Sequence, residues 1–589
     1  MKTRRDVEDA PGWNPAMTNK QIGKVISQIG SLLILQGENT FKTRAYANAA
    51  RRVETLSEPV ADMVNEDRLG KVPGMGASMV RHITELVRDG QSSYHQTLVQ
   101  EVPAGLQEML TISGLGARKI RTIYDHLDID TVGELEYACR ENRLVKLDGF
   151  GAKTQERVLK GIDLIKRSRG FHLPDRALKE AKSLADDLLR HPDVWRAEVA
   201  GDVRRRMEVI READLVVGHP DAEGIKPILH RFGEVQEQDG PDVTVVGPSG
   251  LPVRVHCVPD ETFAVTLYHW TGSEGHRTRI ARHADDRGFT ITDRHVIHDR
   301  AVIPCPDESV IYDLLGLQFI PPELREGGEE VAMAAENRLP KLPTKADILG
   351  VIHNHTTYSD GMHSLRVMAE GARARGYGYI AVCDHSRTAA YAQGLSIERV
   401  MEQQEEIDRL NAGYDDFRIL KGIESDILPD GSLDYPDEVL ASFDLVVASV
   451  HSMFNMSEAD MTERMVKAIR NPHTTILGHP TGRLLLARDG YPVDVARLID
   501  EAVAHDVAVE VNANPHRLDL DWRHLDYGMT RGARFSIGPD AHHVNELDYV
   551  EFGLSMVRKG GVTPDRLLNS LTAEELIRLK TGSLSTAAS

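Results

Sequence analysis

The sequence predicts a multidomain α/β chain: a helical N-terminal third, a mixed α/β middle and a C-terminal barrel of parallel βα units. Three observations carry this expectation. At 589 residues the chain exceeds what one hydrophobic core supports, so roughly three to five domains are expected. The N-terminal third repeats one glycine-centred turn three times. From residue 347 onward, short apolar strands alternate with helical segments, the pattern of parallel βα units.

The repeated turn reads Val72-Pro-Gly-Met-Gly76, Ile112-Ser-Gly-Leu-Gly116 and Leu147-Asp-Gly-Phe-Gly151, each followed by a helix-compatible run with Ala and Lys or Arg. Two glycines permit a tight turn between helices, and the backbone N–H groups opening the second helix can then approach a phosphate. This is the helix-hairpin-helix pattern. It makes Gly74, Gly76, Gly114, Gly116, Lys119, Gly149, Gly151 and Lys153 the expected DNA-binding residues. Charge agrees: residues 1–174 carry a net charge of about +3, against about −23 for the remainder of a chain whose formal charge is −20. Contact with a nucleic-acid backbone is therefore expected in the N-terminal third, and a protein that merely coats nucleic acid is disfavoured.

Composition excludes other classes. The cysteines Cys139, Cys257, Cys305 and Cys383 are widely scattered, which argues against a disulfide framework or a zinc-thiolate site. Any metal must then be held by histidine and carboxylate. No apolar run approaches the ~20 residues of a membrane helix, and the opening residues lack the apolar core of a signal peptide, so a cytoplasmic protein is expected.

Between residues 175 and 340, four short strands are expected at Ala197–Ala200, Ala213–Val217, Val243–Val246 and Val253–Val258. The polar run 326–345, with Leu339-Pro-Lys-Leu-Pro343, reads as a linker. Beyond it seven strands are expected, beginning at Leu349, Tyr379, Phe417, Leu445, Thr475, Val507 and Arg534. Catalytic groups of a parallel barrel gather at the C-terminal ends of its strands. Those ends carry His353 and His355, Asp360, His385, Glu424, His451, His479, and Asp540 with His542. Strand side chains two apart share a face, so His353 and His355 can aim at one metal. Adjacent residues point apart, which makes His385 the ligand and Asp384 its orienting partner. Nine such side chains without thiolate suit manganese, zinc or iron, and a multi-metal site stabilises both attacking and leaving oxygens of a phosphoryl transfer.

These segments, His353-Asn-His355, Asp360, Asp384-His-Ser386, Glu424, His451, Gly478-His-Pro480 and Pro539-Asp-Ala-His542, resemble the motifs of the PHP (polymerase and histidinol phosphatase) superfamily. With Leu428-Pro-Asp-Gly431, Asn512-Ala-Asn-Pro515 and the N-terminal hairpins, the chain is similar to bacterial family X DNA polymerases, from about Lys20 to Arg578. The resemblance implies helical helix-hairpin-helix domains at residues 16–100 and 101–174 (the second fingers-like), and a nucleotidyltransferase-like α/β palm and thumb at 175–325. A linker at 326–345 and a C-terminal distorted (β/α)7 PHP barrel at 346–589 complete it. It further implies up to three ions: one on His353, His355, Glu424 and Asp540, a second on Glu424, His451 and His479, and a third on Asp360, His385 and His542. A hydroxide shared by the metals would be the nucleophile, Arg483 would steady a substrate phosphate, and the domain would act as a manganese-dependent 3′-5′ exonuclease on DNA in a monomeric protein.

The middle departs from the family pattern. Such a polymerase needs three carboxylates for two metals. Glu212 and Asp214 fall on the first two positions, but Arg254 falls on the third, where a permanent cation repels Mg²⁺. Asp202 replaces the serine that meets the triphosphate, His269-Trp270 replaces the Tyr-Phe of the nucleotide pocket, and His82 replaces a Schiff-base lysine. The leading expectation is a DNA-repair nuclease with a degenerate polymerase core. The other readings are an active gap-filling polymerase with the same exonuclease, a small-molecule phosphatase resembling histidinol phosphatase, and a DNA-binding adaptor.

Overall fold

A computed structural model describes residues 17–580, apart from 57, 113, 220, 221 and 237–241. The opening residues scanned for a signal peptide, Ser113 of the second hairpin and the last nine residues of the expected barrel domain lie outside the described residues. The chain divides into two compact units after Arg169.

The first unit is helical. Its opening helix, Asn19–Leu35, begins in a capping box of Thr18 and Gln21 and buries Ile22, Ile26, Ile29 and Leu33, an i, i+3, i+4 stripe. In each hairpin the first glycine (Gly74, Gly114, Gly149) holds a φ of 81° to 86°, a conformation only glycine adopts without strain. The second (Gly76, Gly116, Gly151) precedes the helices Ala77–Asp89, Ala117–Leu127 and Ala152–Ser168. At five of these six glycines, Gly114 excepted, an added Cβ would meet open space, and no side chain caps the three helices that follow. Lys153 is exposed, and the Lys119 ammonium lies 5.6 Å from the Phe150 ring centre.

The second unit opens on a five-stranded sheet: β1 (Arg196–Ala200), β2 (Ala213–Gly218), β3 (Glu234–Gln236), β4 (Asp242–Val246) and β5 (Pro252–Val258), in the order β1-β2-β5-β4-β3. The four expected strands are present, and β3, three residues long, is the addition. Leu215, Val217, Val253 and Val255 pack with the helix Pro174–Leu189, and the alternate residues Asp214, Arg254 and His256 face the other way. A small antiparallel sheet follows, β6 (Phe289–Ile291), β7 (Val296–His298) and β8 (Ala301–Ile303). Beside it Arg325 is wholly buried, donating to Glu308 at 2.5 Å and to the Ile320 carbonyl at 2.8 Å. A charge so placed is tolerated only with such partners.

Residues 326–345 are not a simple linker. The helix Glu330–Ala335 forms there, burying Val331 and Ala334, and Glu330 accepts a 2.8 Å bond from His276. Residues 326–329 are bends, and the proline-containing stretch 338–344 after the helix lacks regular structure, as its two prolines favour.

Seven parallel strands then form the sheet β15-β14-β13-β12-β11-β10-β9: β9 (Gly350–Asn354), β10 (Tyr379–Val382), β11 (Arg418–Asp426), β12 (Leu445–Ser449), β13 (Ile476–Leu477), β14 (Ala508–Asn512) and β15 (Phe535–Gly538). This is a nearly closed barrel. Its seam is joined by a bridge between Asn354 and Ala541 and by the buried Asn569, whose amide donates to the carbonyls of Gly350 in β9 and Ile537 in β15. Unpaired strand edges are thereby satisfied. The barrel also meets the five-stranded part of its unit: Glu208 accepts from Trp522 at 3.1 Å and from Arg523, and the buried Lys559 ammonium donates to the Arg205 carbonyl at 3.1 Å while pairing with Glu326 of the following segment. Among the described residues no helix is long and apolar enough to cross a membrane, and the four cysteines are buried.

Candidate metal centre

The nine expected ligands arrive at one place. β11 carries Glu424 into the middle, where its carboxylate lies 3.4 Å from His353, 2.8 Å from His385, 3.2 Å from His451 and 3.0 Å from His479. His355 meets Asp540 at 3.1 Å, and Asp360 lies 3.2 Å from His542 and 3.6 Å from His385. His353, His479 and Asp540 reach their positions with positive φ (65°, 23° and 51°), backbone strain of a kind that clusters at functional sites.

Three subsets are close enough to share an ion: His353, His355 and Asp540; His385, Glu424 and His451; and His355, Asp360, His385 and His542. His355 and His385 each stand in two of them. The expected partition gave each one group. The donor set fits divalent cations. Buried polar atoms nearly always find hydrogen-bond partners, yet His353 Nε2, His385 Nδ1, Asp360 Oδ1 and Glu424 Oε2 have none in hydrogen-bonding geometry, although His385 Nδ1 lies 2.8 Å from Glu424 Oε2 and Asp360 Oδ1 lies 3.2 Å from His542 Nε2. They face one another as lone pairs around a cation would.

Electrostatics agrees with a site built for positive charge. Burial would raise the Glu424 and Asp540 carboxyls, but the surrounding imidazoles hold both far below the usual carboxylate range. Burial also works against charge on His451, and Glu424 and Asp426 outweigh it, taking its pKa up to about 10. His355, buried and beside His542 and His385, is pushed down to about 3. His353 and His355 are fully buried, whereas Asp360 and His542 keep 26% and 22% of their side-chain surface. The centre therefore opens on the Asp360–His542 side.

Two sequence assignments need correction. Asp384 does not orient His385. Its buried carboxylate accepts from the Thr356 N–H and hydroxyl at 2.8 and 2.6 Å, from Ser359 and from Gln403, so it shapes the turn that presents Asp360. Arg483 is not available to a phosphate. Its three nitrogens donate to the Arg517 carbonyl, to Asp521 and to the Leu518 carbonyl. Arg517, 3.4 Å from Asp540, is the cation that reaches the centre.

The residues that brace the ligands escaped sequence reasoning. Glu510 in β14 accepts from His353 Nδ1 at 2.5 Å and from the His479 amide at 2.7 Å. Asp426 accepts from His451 Nδ1 at 2.7 Å. Their signal was present: Glu510 is an acid two residues before Asn512 in the otherwise apolar run 508–511, and Asp426 stands two residues after Glu424. Glu510→Gln is expected to lower metal affinity about 10–100-fold, measured by metal content after dialysis against graded chelator, because the carboxylate fixes two ligands at once.

In the five-stranded sheet, Arg254 stands opposite Asp214 in the β2–β5 register and its guanidinium pairs with Glu212. His256, two residues on, stacks on Trp270 at 4.0 Å and lies 3.1 Å from both Asp214 and Asp242. Burial disfavours its charge, but the two carboxylates prevail and raise its pKa. Asp202 pairs through Oδ1 with Arg205, which also holds Glu326 and the Thr271 carbonyl. His82, in the first unit, is buried and stacked on Tyr94 at 4.8 Å.

Known proteins share these features. Residues 17–92 match the model of a helix-hairpin-helix domain, 106–163 that of a SAM-like helix-hairpin-helix tandem, and 266–326 that of the DNA polymerase beta thumb. The DNA polymerase/3′-5′ exonuclease PolX of Bacillus subtilis is 35% identical over 580 residues, covering 95% of this chain and 99% of that one. The chain belongs to the PolX family. Within that frame, a probable phosphatase of Thermoanaerobacter sp. is 25% identical over 237 residues, 90% of its length. A DNA nucleotidylexotransferase of Ambystoma mexicanum is 23% identical over 48% of this PolX-family chain and 64% of its own.

Proposed function

We propose that this PolX-family protein is a DNA-binding, metal-dependent phosphoesterase that removes nucleotides from DNA 3′ ends, and that its palm no longer synthesises DNA efficiently. One observation carries the first half: nine histidine and carboxylate side chains at the strand ends of one barrel gather around Glu424, several of their buried lone pairs facing one another outside hydrogen-bonding geometry. His353, His355, Asp360, His385, Glu424, His451, His479, Asp540 and His542 would hold up to three ions, manganese first, with zinc or iron as alternatives. Such ions supply Lewis acidity and bring the pKa of water toward neutrality. The protein's own part is positional. Glu510 and Asp426 fix the imidazoles, Asp384 sets the Asp360 turn, and Arg517 is placed to meet a phosphate oxygen.

Arg254 carries the second half. A two-metal nucleotidyl transfer needs negative charge at this position, and a guanidinium ion-paired with Glu212 supplies the opposite sign. We assign residues 16–100 and 101–174 to DNA binding, 175–325 to a palm and thumb that act as scaffold, and 346–589 to catalysis, in a monomer acting on gapped or primer-template DNA. A labelled primer-template incubated with dNTPs and Mn²⁺ tests both halves. Shortening of the primer is expected; lengthening that vanishes in Asp214→Ala would overturn the reading of the palm. Equal hydrolysis by the His353→Ala/His355→Ala variant would overturn that of the barrel.

A further inference from the structure

Beside the metal centre stands an aromatic side chain that the ligand set does not use. Tyr391 keeps 68% of its surface exposed. Its ring centre lies 5.9 Å from that of His385 and 6.1 Å from that of His451, edge-on to both. The loop that carries it is anchored: Ala389, Ala392 and Leu395 are fully buried, and Thr388 bonds Asp434 through its amide and Asp426 through its hydroxyl, at 2.6 and 2.7 Å. Asp426 also holds His451. One carboxylate thus ties a metal-facing imidazole to the loop that presents the tyrosine.

A large ring held by a fixed loop with about two-thirds of its surface in solvent leaves most of its apolar area unused by the fold. It is preorganised to pack on something that enters. A phosphodiester held at the centre would lie close to this ring, and the flat apolar group that a DNA terminus would bring beside it is the base of its last nucleotide. We propose that Tyr391 is the stacking platform for the 3′-terminal nucleobase, a specificity element that selects nucleotides over base-free phosphoesters without reading sequence, since every base presents a π face. This rests on the assignment of the barrel as the DNA 3′-end hydrolase.

The test uses the full-length protein with Mn²⁺ and two oligonucleotides, one ending in dA and one ending in a tetrahydrofuran abasic residue. Loss of one stacked base corresponds to roughly 5–150-fold in affinity. Tyr391→Ala is expected to raise KM for the dA end by about 10-fold within that range and to leave the abasic end nearly unchanged, while Tyr391→Phe leaves both unchanged. Equal losses on both ends, or no change on either, would overturn the proposal while leaving the barrel as the hydrolase. If the unsubstituted protein fails to shorten either oligonucleotide, the assignment of the barrel itself falls.

Discussion

Glu424→Gln is expected to cost more than about 100-fold in 3′-end hydrolysis, beyond the upper end of what partners one step removed from a metal contribute. The substitution preserves volume, so packing of β11 is retained and the effect is electrostatic. In the native centre one carboxylate faces His353, His385, His451 and His479 at 2.8 to 3.4 Å. An amide keeps one acceptor oxygen, puts two N–H donors among those imidazoles and removes the charge that any shared ion needs. Metal content of the dialysed variant should fall in parallel with its rate. DNA affinity at fixed salt should not change, because the contacts that neutralise phosphates are assigned to the helix-hairpin-helices. A variant that keeps both its metals and its rate would remove Glu424 from the centre of the site.

How far the sequence discloses such a site depends on how local the rule is. The seven barrel strands and eight of the nine converging residues are legible at strand ends, with Asp360 in the following turn, because βα punctuation and i, i+2 spacing act over a few residues. Asp384 misleads for the same reason. β10 ends at Val382, so alternation no longer assigns faces at Asp384 and His385, and Asp384 turns instead toward Thr356 and Ser359. Arg483 is fixed by residues 517 to 521, more than thirty positions away, which no spacing rule reports. Glu510 bonds a histidine 157 positions earlier. In the palm, the loss of a carboxylate is visible at Arg254, but the role of His256 emerges only once the β4–β5 register sets it opposite Asp242. β3, β6, β7 and β8 are three residues each, too short to show a period.

Arg254→Asp is expected to convert the palm's internal ion pair into a cation site. Arg254 faces Asp214 across adjacent parallel strands and its guanidinium neutralises Glu212, with both side chains about one-third exposed, so an ion can reach the position. Reversing the sign there gathers three carboxylates. Like charges about 4 Å apart repel by up to about 4 kcal/mol at an effective dielectric constant near 20, and solvent exposure reduces this. Without divalent ions the variant should therefore unfold more easily than its parent. With Mg²⁺ at about 100 times its dissociation constant it should regain roughly 2.7 kcal/mol. Urea unfolding of both proteins in a His353→Ala/His355→Ala background, with and without Mg²⁺, reads this at the palm, since the barrel ligands that remain are the same in both. The variant's response to Mg²⁺ should exceed the parent's, and an equal response from parent and variant would mean that the guanidinium is not what keeps ions out. His256 remains on Asp214 and Asp242 in either protein, which confines the new site to the Glu212 side. One reversed charge can thus restore ion binding without restoring the paired-metal geometry that nucleotidyl transfer requires, so recovery of Mg²⁺-dependent stability is expected without recovery of primer extension.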